Sequence, residues 1–474
     1  MIRRGVACRA WRISCAWLLA ATVLANGCSS SAIAPVLPSL GPPTEDEEAK
    51  ISREFRREAK KLFKFVNNPE VERYIDRIGR RILAATGPLS FDYRFFVIED
   101  EQLNAFSVPG GSIYINTGLI ERAKSTDELA GVLGHEITHA KNHHMARASG
   151  PDAISILSLL AMVALARNGS GGQAAGMVGQ AVSATRQLAF SRQLEMEADT
   201  LGTRYMAAAG YDPKGTIAFL KMLDQERALN PVDVPAYILS HPITQERVAN
   251  AELVVKSLKP STLRPDSPES LKKVQIVIRM ERPGREAVVS EYEKLVQKSP
   301  QDAELRYLLA FAEHLLGQLP QARQNYEKSR QLQPENASLE RDLGRLYGDV
   351  GEFTPARDAF DRSIALEPQE PLTYLYLGDM LEKSGDLRGA AGAFLNAQNL
   401  APLWDRPANR LGMVYGKLNR PGDGYYYLGR SFMLQDEDEK AIASLERSLK
   451  IIGASTPRGQ LVQEELNTLK NRKR

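Results

Sequence analysis

The chain has 474 residues, 43% of them hydrophobic, so it can fill two or three packed domains and is not a disordered polymer. Its formal charge of +3 is uneven: Arg3, Arg4, Arg9 and Arg12 lie in the first 27 residues, which hold no Asp or Glu. The 61 basic residues less these four leave 57 against 58 acidic ones, a balance without a polycationic face, which excludes a nucleic-acid-binding function.

The basic stretch Met1 to Arg12 and the apolar run Ile13 to Ala25 read as an export signal over residues 1–27; the run is short for a membrane helix. A small residue, a cysteine and serines follow as Gly27-Cys28-Ser29-Ser30, which resembles the cleavage box of bacterial lipoproteins, with Cys28 as the acylated first residue. Ala25 stands where such boxes usually carry Leu. Ala25-Asn26-Gly27 also suits an ordinary signal peptidase, so simple secretion is the alternative. Under the lipoprotein reading, Ser29 favours the outer membrane. Cys8 and Cys15 leave with the signal, and Cys28 alone can form no intramolecular disulfide.

Residues 28–44, rich in Ser and Pro, suit a flexible tether. Residues 45–66 and 69–85 have the periodicity of amphipathic helices, the second with Ile75, Ile78 and Ile82 on one face. Phe91 to Ile98 reads as a strand, Pro109-Gly110-Gly111 as a turn, and Ser112 to Asn116 as a second strand whose free edge would take an extended peptide. Ser125 and Glu128 have capping-box spacing, predicting a helix from there through His139 to about Arg147. Residues 153–166 are apolar and 168–179 Gly-rich: a core helix or a cover over a site, or else a gating element that grazes a membrane. A further helix is expected from about Arg186 to Ala209, stopping at Gly210.

Beyond a linker at 259–270, Pro300, Pro334, Pro368 and Pro402 are 34 residues apart. The same step joins Gly317, Gly351 and Gly385; Ala322, Ala356 and Ala390; Tyr326, Phe360 and Phe394; and Leu332, Leu366 and Leu400. A 34-residue period with small, aromatic and Pro columns resembles the tetratricopeptide repeat: small residues let paired helices approach, the aromatic is expected to pack between repeats, and Pro ends the second helix. Residues 271–474 therefore read as a repeat domain. Its clear repeats are 303–336, 337–370 and 371–404, and further helix pairs continue to about 452. His314 within it reads as surface.

His135 and His139 are four apart, which puts both imidazoles on one helix face where they can share a cation. Glu136, rotated by about 100°, can serve as a base without being a ligand. Of six histidines, five lie in 135–144 or at 241. The expected helix from Arg186 supplies acidic candidates on one face: Glu195 as a third ligand and Asp199 to orient a ligating imidazole, with Glu197 pointing elsewhere.

Over residues 50 to 255 the sequence resembles the M48 family of zinc metallopeptidases. The matching stretches are Asn104-Ala105-Phe106, Pro109-Gly110-Gly111, Ile113-Tyr114, Gly118-Leu119 and Glu128-Leu129-Ala130. They continue with Gly134-His135-Glu136-Ile137-Thr138-His139, Ser191-Arg192 with Glu195, Ala198-Asp199, and Ser240-His241-Pro242 with Arg247. The resemblance assigns His135, His139 and Glu195 to one zinc ion per chain and Glu136 to base catalysis. It places His241 near the site, where it would stabilise an oxyanion or approach the metal as an extra ligand at rest; a structural histidine is the alternative. Arg247 would orient His241 or close an ion pair. His143 stands where many members have Arg, beside the matching His144, and both read as structural or solvated.

The fold expected is mainly α with a small β-sheet: a zincin-like (gluzincin) metallopeptidase domain over 45–258 followed by an α-solenoid. Signal, peptidase and repeats together resemble the subgroup of this family that serves β-barrel assembly in the periplasm. The resemblance implies an endopeptidase of the bacterial cell envelope, anchored to the outer membrane through Cys28. It would act on misfolded or stalled outer-membrane proteins and dock to their assembly machinery through the repeats. The alternative is a chaperone or scaffold whose peptidase domain is latent.

Overall fold

The computed structural model describes residues 43–148, 192–229, 234–259 and 269–472. The expectations for residues 1–42, for 153–166 and 168–179, and for the start of the helix from Arg186 lie outside the described residues. No described helix is long and apolar enough to cross a membrane.

Helix α1 (Glu45–Leu62) opens on a complete capping box between Thr44 and Glu47. Helix α2 (Pro69–Ala84) has Asn68 as its cap and Pro at its first position, and buries Ile75, Ile78 and Ile82 together. Strands β1 (Arg94–Ile98), β2 (Ala105–Val108) and β3 (Ser112–Asn116) form a sheet in the order β1-β3-β2. β3 pairs parallel with β1 and antiparallel with β2. This corrects the expected free edge of β3: it is the central strand, and all five of its residues are buried. Ile113 and Ile115 face the main core, while Tyr114 stacks between Phe96 and Phe106 on the opposite face. The strand that occupies the missing edge, β2, is only four residues long. It turns back into β3 through Gly110 and Gly111, whose φ values of +85° and +87° require glycine.

After the short helix α3 (Thr117–Arg122), α4 (Thr126–Lys141) runs through the middle of the domain, buried without interruption from Glu128 to Ala140. Ser125 caps it by accepting from Glu128 N at 3.2 Å, whereas the Glu128 carboxylate takes Lys124 N at 2.8 Å, one residue before the cap. α4 ends at Lys141, short of the expected Arg147. Asn142 and His143 break it, His143 with a φ of +53°, and α5 (His144–Ala148) starts afresh. α4 packs on the helices Arg192–Ala208 and Lys214–Leu229.

The repeat region is a run of helix pairs: 269–280 with 286–298, 303–316 with 319–332, 337–349 with 353–366, 371–384 with 387–400, 405–417 with 421–434, and 438–452 with 457–472. Loss of the 34-residue register after 404 therefore does not end the pairing. The aromatic column packs over the small residue of the same pair. A Cβ on Gly344 would lie 2.9 Å from the Phe360 ring, and one on Gly378 would lie 2.4 Å from that of Phe394. His314, expected at the surface, is 9% exposed, with Nε2 3.1 Å from Asp349 Oδ2. The solenoid returns to the N-terminal domain at several points. Gln275 donates to the carbonyls of Ile120 and Ala123. Glu70 meets Arg341, Arg345 and Lys273. A cavity of about 820 Å³ separates α2 and β1 from the later repeats, with Arg94, Phe95, Trp404 and Arg406 among its walls.

Candidate metal centre

The site is built where α4 crosses the Arg192–Ala208 helix. The crossing is close because glycine meets glycine: a Cβ on Gly202 would lie 2.7 Å from the Gly134 carbonyl carbon, and one on Gly134 would lie 2.8 Å from Gly202 O. His135 and His139 project from α4, and Glu195 and Asp199 from the facing helix. His241 follows the one-turn helix Ala236–Ser240. All five are at most 3% exposed.

Four of these side chains converge. His135 Nε2 and His139 Nε2 are 2.9 Å apart. His241 Nδ1 lies 3.3 Å from His135 Nε2 and 3.0 Å from Glu195 Oε1, and Glu195 Oε1 lies 3.3 Å from His139 Nε2. One donor atom from each lies within 4.8 Å of all the others. Asp199 is not among them. Its Oδ1 accepts from His135 Nδ1 at 2.9 Å, and Arg247 clamps the same carboxylate through Nε at 2.7 Å and Nη2 at 2.9 Å. Arg247 also lies 2.8 Å from Glu195 Oε2 and donates to Pro242 O, beside His241. It thus pairs with both carboxylates and reaches the backbone next to His241. His241 stacks on Tyr237 with centroids 4.6 Å apart, a support the sequence reading missed although the residues are four apart on one turn.

The electrostatics bear on whether a cation fits. Burial pushes His139 down to about 4, against the pull of Glu195, and also lowers His135. Both rings are therefore neutral near pH 7. Because the Asp199 carboxylate can only accept, His135 carries its proton on Nδ1 and turns a lone pair to the centre. Burial works against the Glu195 carboxylate too, but His241 holds it well below the usual range, so it brings a full negative charge. Imidazole lone pairs and an anion this close repel one another unless a cation lies among them, and three nitrogens with one carboxylate oxygen are a donor set for a metal ion. Glu136 stands beside this set rather than in it. Its Oε1 is 3.6 Å from His241 Nε2, and both oxygens are buried without a hydrogen-bond partner among the described residues.

A helix bearing two histidines and an acid, crossed by a second helix bearing a carboxylate beside a small sheet, is an arrangement like that of zincin-type metallopeptidases, joined here to a helical-repeat solenoid. The pattern of Peptidase family M48 matches residues 69–254, and a tetratricopeptide repeat pattern matches residues 341–402. A relative from Vibrio cholerae is 32% identical over 224 residues, 45% of this chain and 45% of its own. The beta-barrel assembly-enhancing protease of Escherichia coli is 28% identical over 235 residues, 48% of this chain and 47% of its own. The mitochondrial metalloendopeptidase OMA1 of Schizosaccharomyces pombe is 29% identical over 180 residues, 38% of this chain and 51% of its own. The chain thus spans about half the length of the curated relatives it matches.

Proposed function

We propose that this chain is a zinc-dependent endopeptidase of the bacterial cell envelope, concerned with quality control or assembly of outer-membrane proteins. The observation that carries the peptidase reading is the buried convergence of His135, His139, Glu195 and His241 beside a Glu136 carboxylate that has no hydrogen-bond partner among the described residues. His135, His139 and Glu195 would hold one zinc ion, and Asp199 with Arg247 keeps His135 oriented. When bound there, zinc would polarise a scissile carbonyl and make a water molecule more acidic. Glu136 would then serve as the base that accepts a proton from water and hands it to the leaving amine, so no nucleophilic Ser or Cys is required.

The envelope assignment rests on the export signal, on Cys28 as a lipid anchor at the outer membrane, and on the likeness to beta-barrel assembly-enhancing proteases. The repeats and the cavity of about 820 Å³ facing α2 give room for a client segment or a docking partner. The test is direct. Purified protein should hold one zinc per chain, and Glu136→Gln should keep the zinc but lose proteolysis of an unfolded client. Absence of stoichiometric zinc, or full activity in Glu136→Gln, overturns the reading.

A second reading is favoured by the position of His241. With its Nδ1 3.0 Å from Glu195 Oε1, it supplies a fourth protein donor, and a metal held by four protein donors has no open position for catalysis. The resting chain is then latent and acts chiefly as a chaperone or scaffold until His241 withdraws.

A further inference from the structure

We infer that His144 and Glu197 form a positioning relay for His139, resting on the reading that His139 holds the metal. The two ligating histidines of α4 are backed differently. His135 leans on a carboxylate, Asp199. Behind His139 stands another imidazole: His144 Nδ1 lies 2.9 Å from His139 Nδ1, with the rings nearly perpendicular at 80°. His144 is fully buried, and its Nε2 points to Glu197 Oε2 at 3.5 Å. Glu197 is in turn held by Asn142, whose Nδ2 donates to Oε1 at 2.7 Å.

Backbone geometry is spent on this contact. In an unbroken helix, residues five apart are rotated by about 140°, and His144 could not lie against His139. The break at Asn142 and the left-handed His143, φ +53°, fold the chain back so that it does. His143 is itself fastened, with Nδ1 2.7 Å from Glu48 Oε1 on α1.

Proton bookkeeping then fixes the direction. Two Nδ1 atoms at 2.9 Å can share only one hydrogen. If His139 is to present the Nε2 lone pair to a metal, that hydrogen is its own, on Nδ1, and His144 accepts it. His144 must then carry its proton on Nε2, which faces the Glu197 carboxylate at 3.5 Å, and that contact favours this tautomer. Neither residue touches the reacting atoms.

The chain has six histidines, so the tautomers of the zinc-loaded full chain can be read from two-bond proton–nitrogen correlations of histidine labelled with nitrogen-15. His139 protonated on Nδ1 and His144 on Nε2 is the expected result; His144 protonated on Nδ1 overturns the relay. As a second measurement, Glu197→Ala, at a partly exposed position, should weaken zinc binding by about 10-fold or more in a chelator competition, the scale of such outer contacts. His144→Ala should do the same, and Glu335→Ala in the repeats should not. Unchanged zinc affinity in both site variants overturns the relay while leaving the metal reading intact. Failure of the unsubstituted chain to bind zinc overturns both.

Discussion

Arg56 on α1 grips Asp436, 380 residues later, through two hydrogen bonds: Nε to Oδ2 at 2.6 Å and Nη2 to Oδ1 at 2.7 Å. Each side chain is 7% exposed. Arg56 Nη1 also donates to Ser52 and to Ser112 at the start of β3, while Lys60 and Arg94 donate to the carbonyls of Gln435 and Leu434. The turn between the last two helix pairs of the solenoid is therefore clasped to α1 and to the sheet. Burial works against the Asp436 carboxylate, but its bonds to Arg56 keep it below the ordinary range.

Removing one partner of this clasp leaves a buried charge alone. Asp436→Ala should cost about 3–5 kcal/mol, and adding Arg56→Met to it should recover part of that by removing the buried charge left behind. Urea unfolding of the single and double variants measures the difference. Limited proteolysis near residues 434–438 should quicken in the single variant only.

The parts of the site that share one helix turn were legible in the sequence. His135, Glu136 and His139 are fixed by spacing, and Glu195 and Asp199 by the same rule on a second helix. The β3 edge was misread because β2 is four residues long and gives little periodic signal. The helix break after Lys141 was also missed. Asn142 and His143 are ordinary helix residues by propensity, and the left-handed turn is imposed by what His143 and His144 touch, Glu48 and His139, far from any local pattern. The Arg56 clasp could not be foreseen, since nothing in a sequence pairs two charges 380 residues apart. The repeats show the converse. Their 34-residue columns announced the solenoid, yet helix pairing continues after the columns stop, because it needs only apolar faces and close small residues.

A pH effect should arise in the repeats, away from the metal centre. Glu313 is 3% exposed, and burial pushes its carboxyl up to about 7, against the two hydrogen bonds from Asn325 Nδ2. The folded chain then holds this proton more tightly than the unfolded one. Stability from this group is full below the unfolded value of 4.5 and is lost as pH rises through about 7. Glu313→Gln should remove that loss and raise stability at pH 8 by on the order of 2 kcal/mol, with little effect at pH 5. Melting temperatures of both proteins at the two pH values decide it.

His241 offers a test of latency. If its Nδ1 completes the donor set at rest, His241→Ala should keep zinc and raise the rate of proteolysis of an unfolded client. A fall in rate with zinc retained would instead assign His241 to stabilising the oxyanion. Tyr237→Ala, which removes the ring beneath His241, should shift the rate in the same direction but less.

The Gly134–Gly202 crossing should be the least tolerant backbone contact of the site. A methyl group on Gly202 would meet Gly134 carbonyl carbon and oxygen and His135 N at 2.7–2.8 Å, all backbone atoms of the helix that carries both histidines. No side-chain rotation relieves that contact, so the helices must part. Glu195 and Asp199, on the displaced helix, then lose register with His135. Gly202→Ala should therefore destabilise the fold by about 1–3 kcal/mol, as overpacking does, and weaken zinc binding as well. Gly392, inside a repeat helix with nothing within 4 Å of its would-be Cβ, is the control. Gly392→Ala should stabilise by about 0.5–1 kcal/mol through backbone entropy alone and leave zinc affinity unchanged. Equal effects from the two substitutions would mean that the glycine crossing does not set the distance between the two halves of the metal centre.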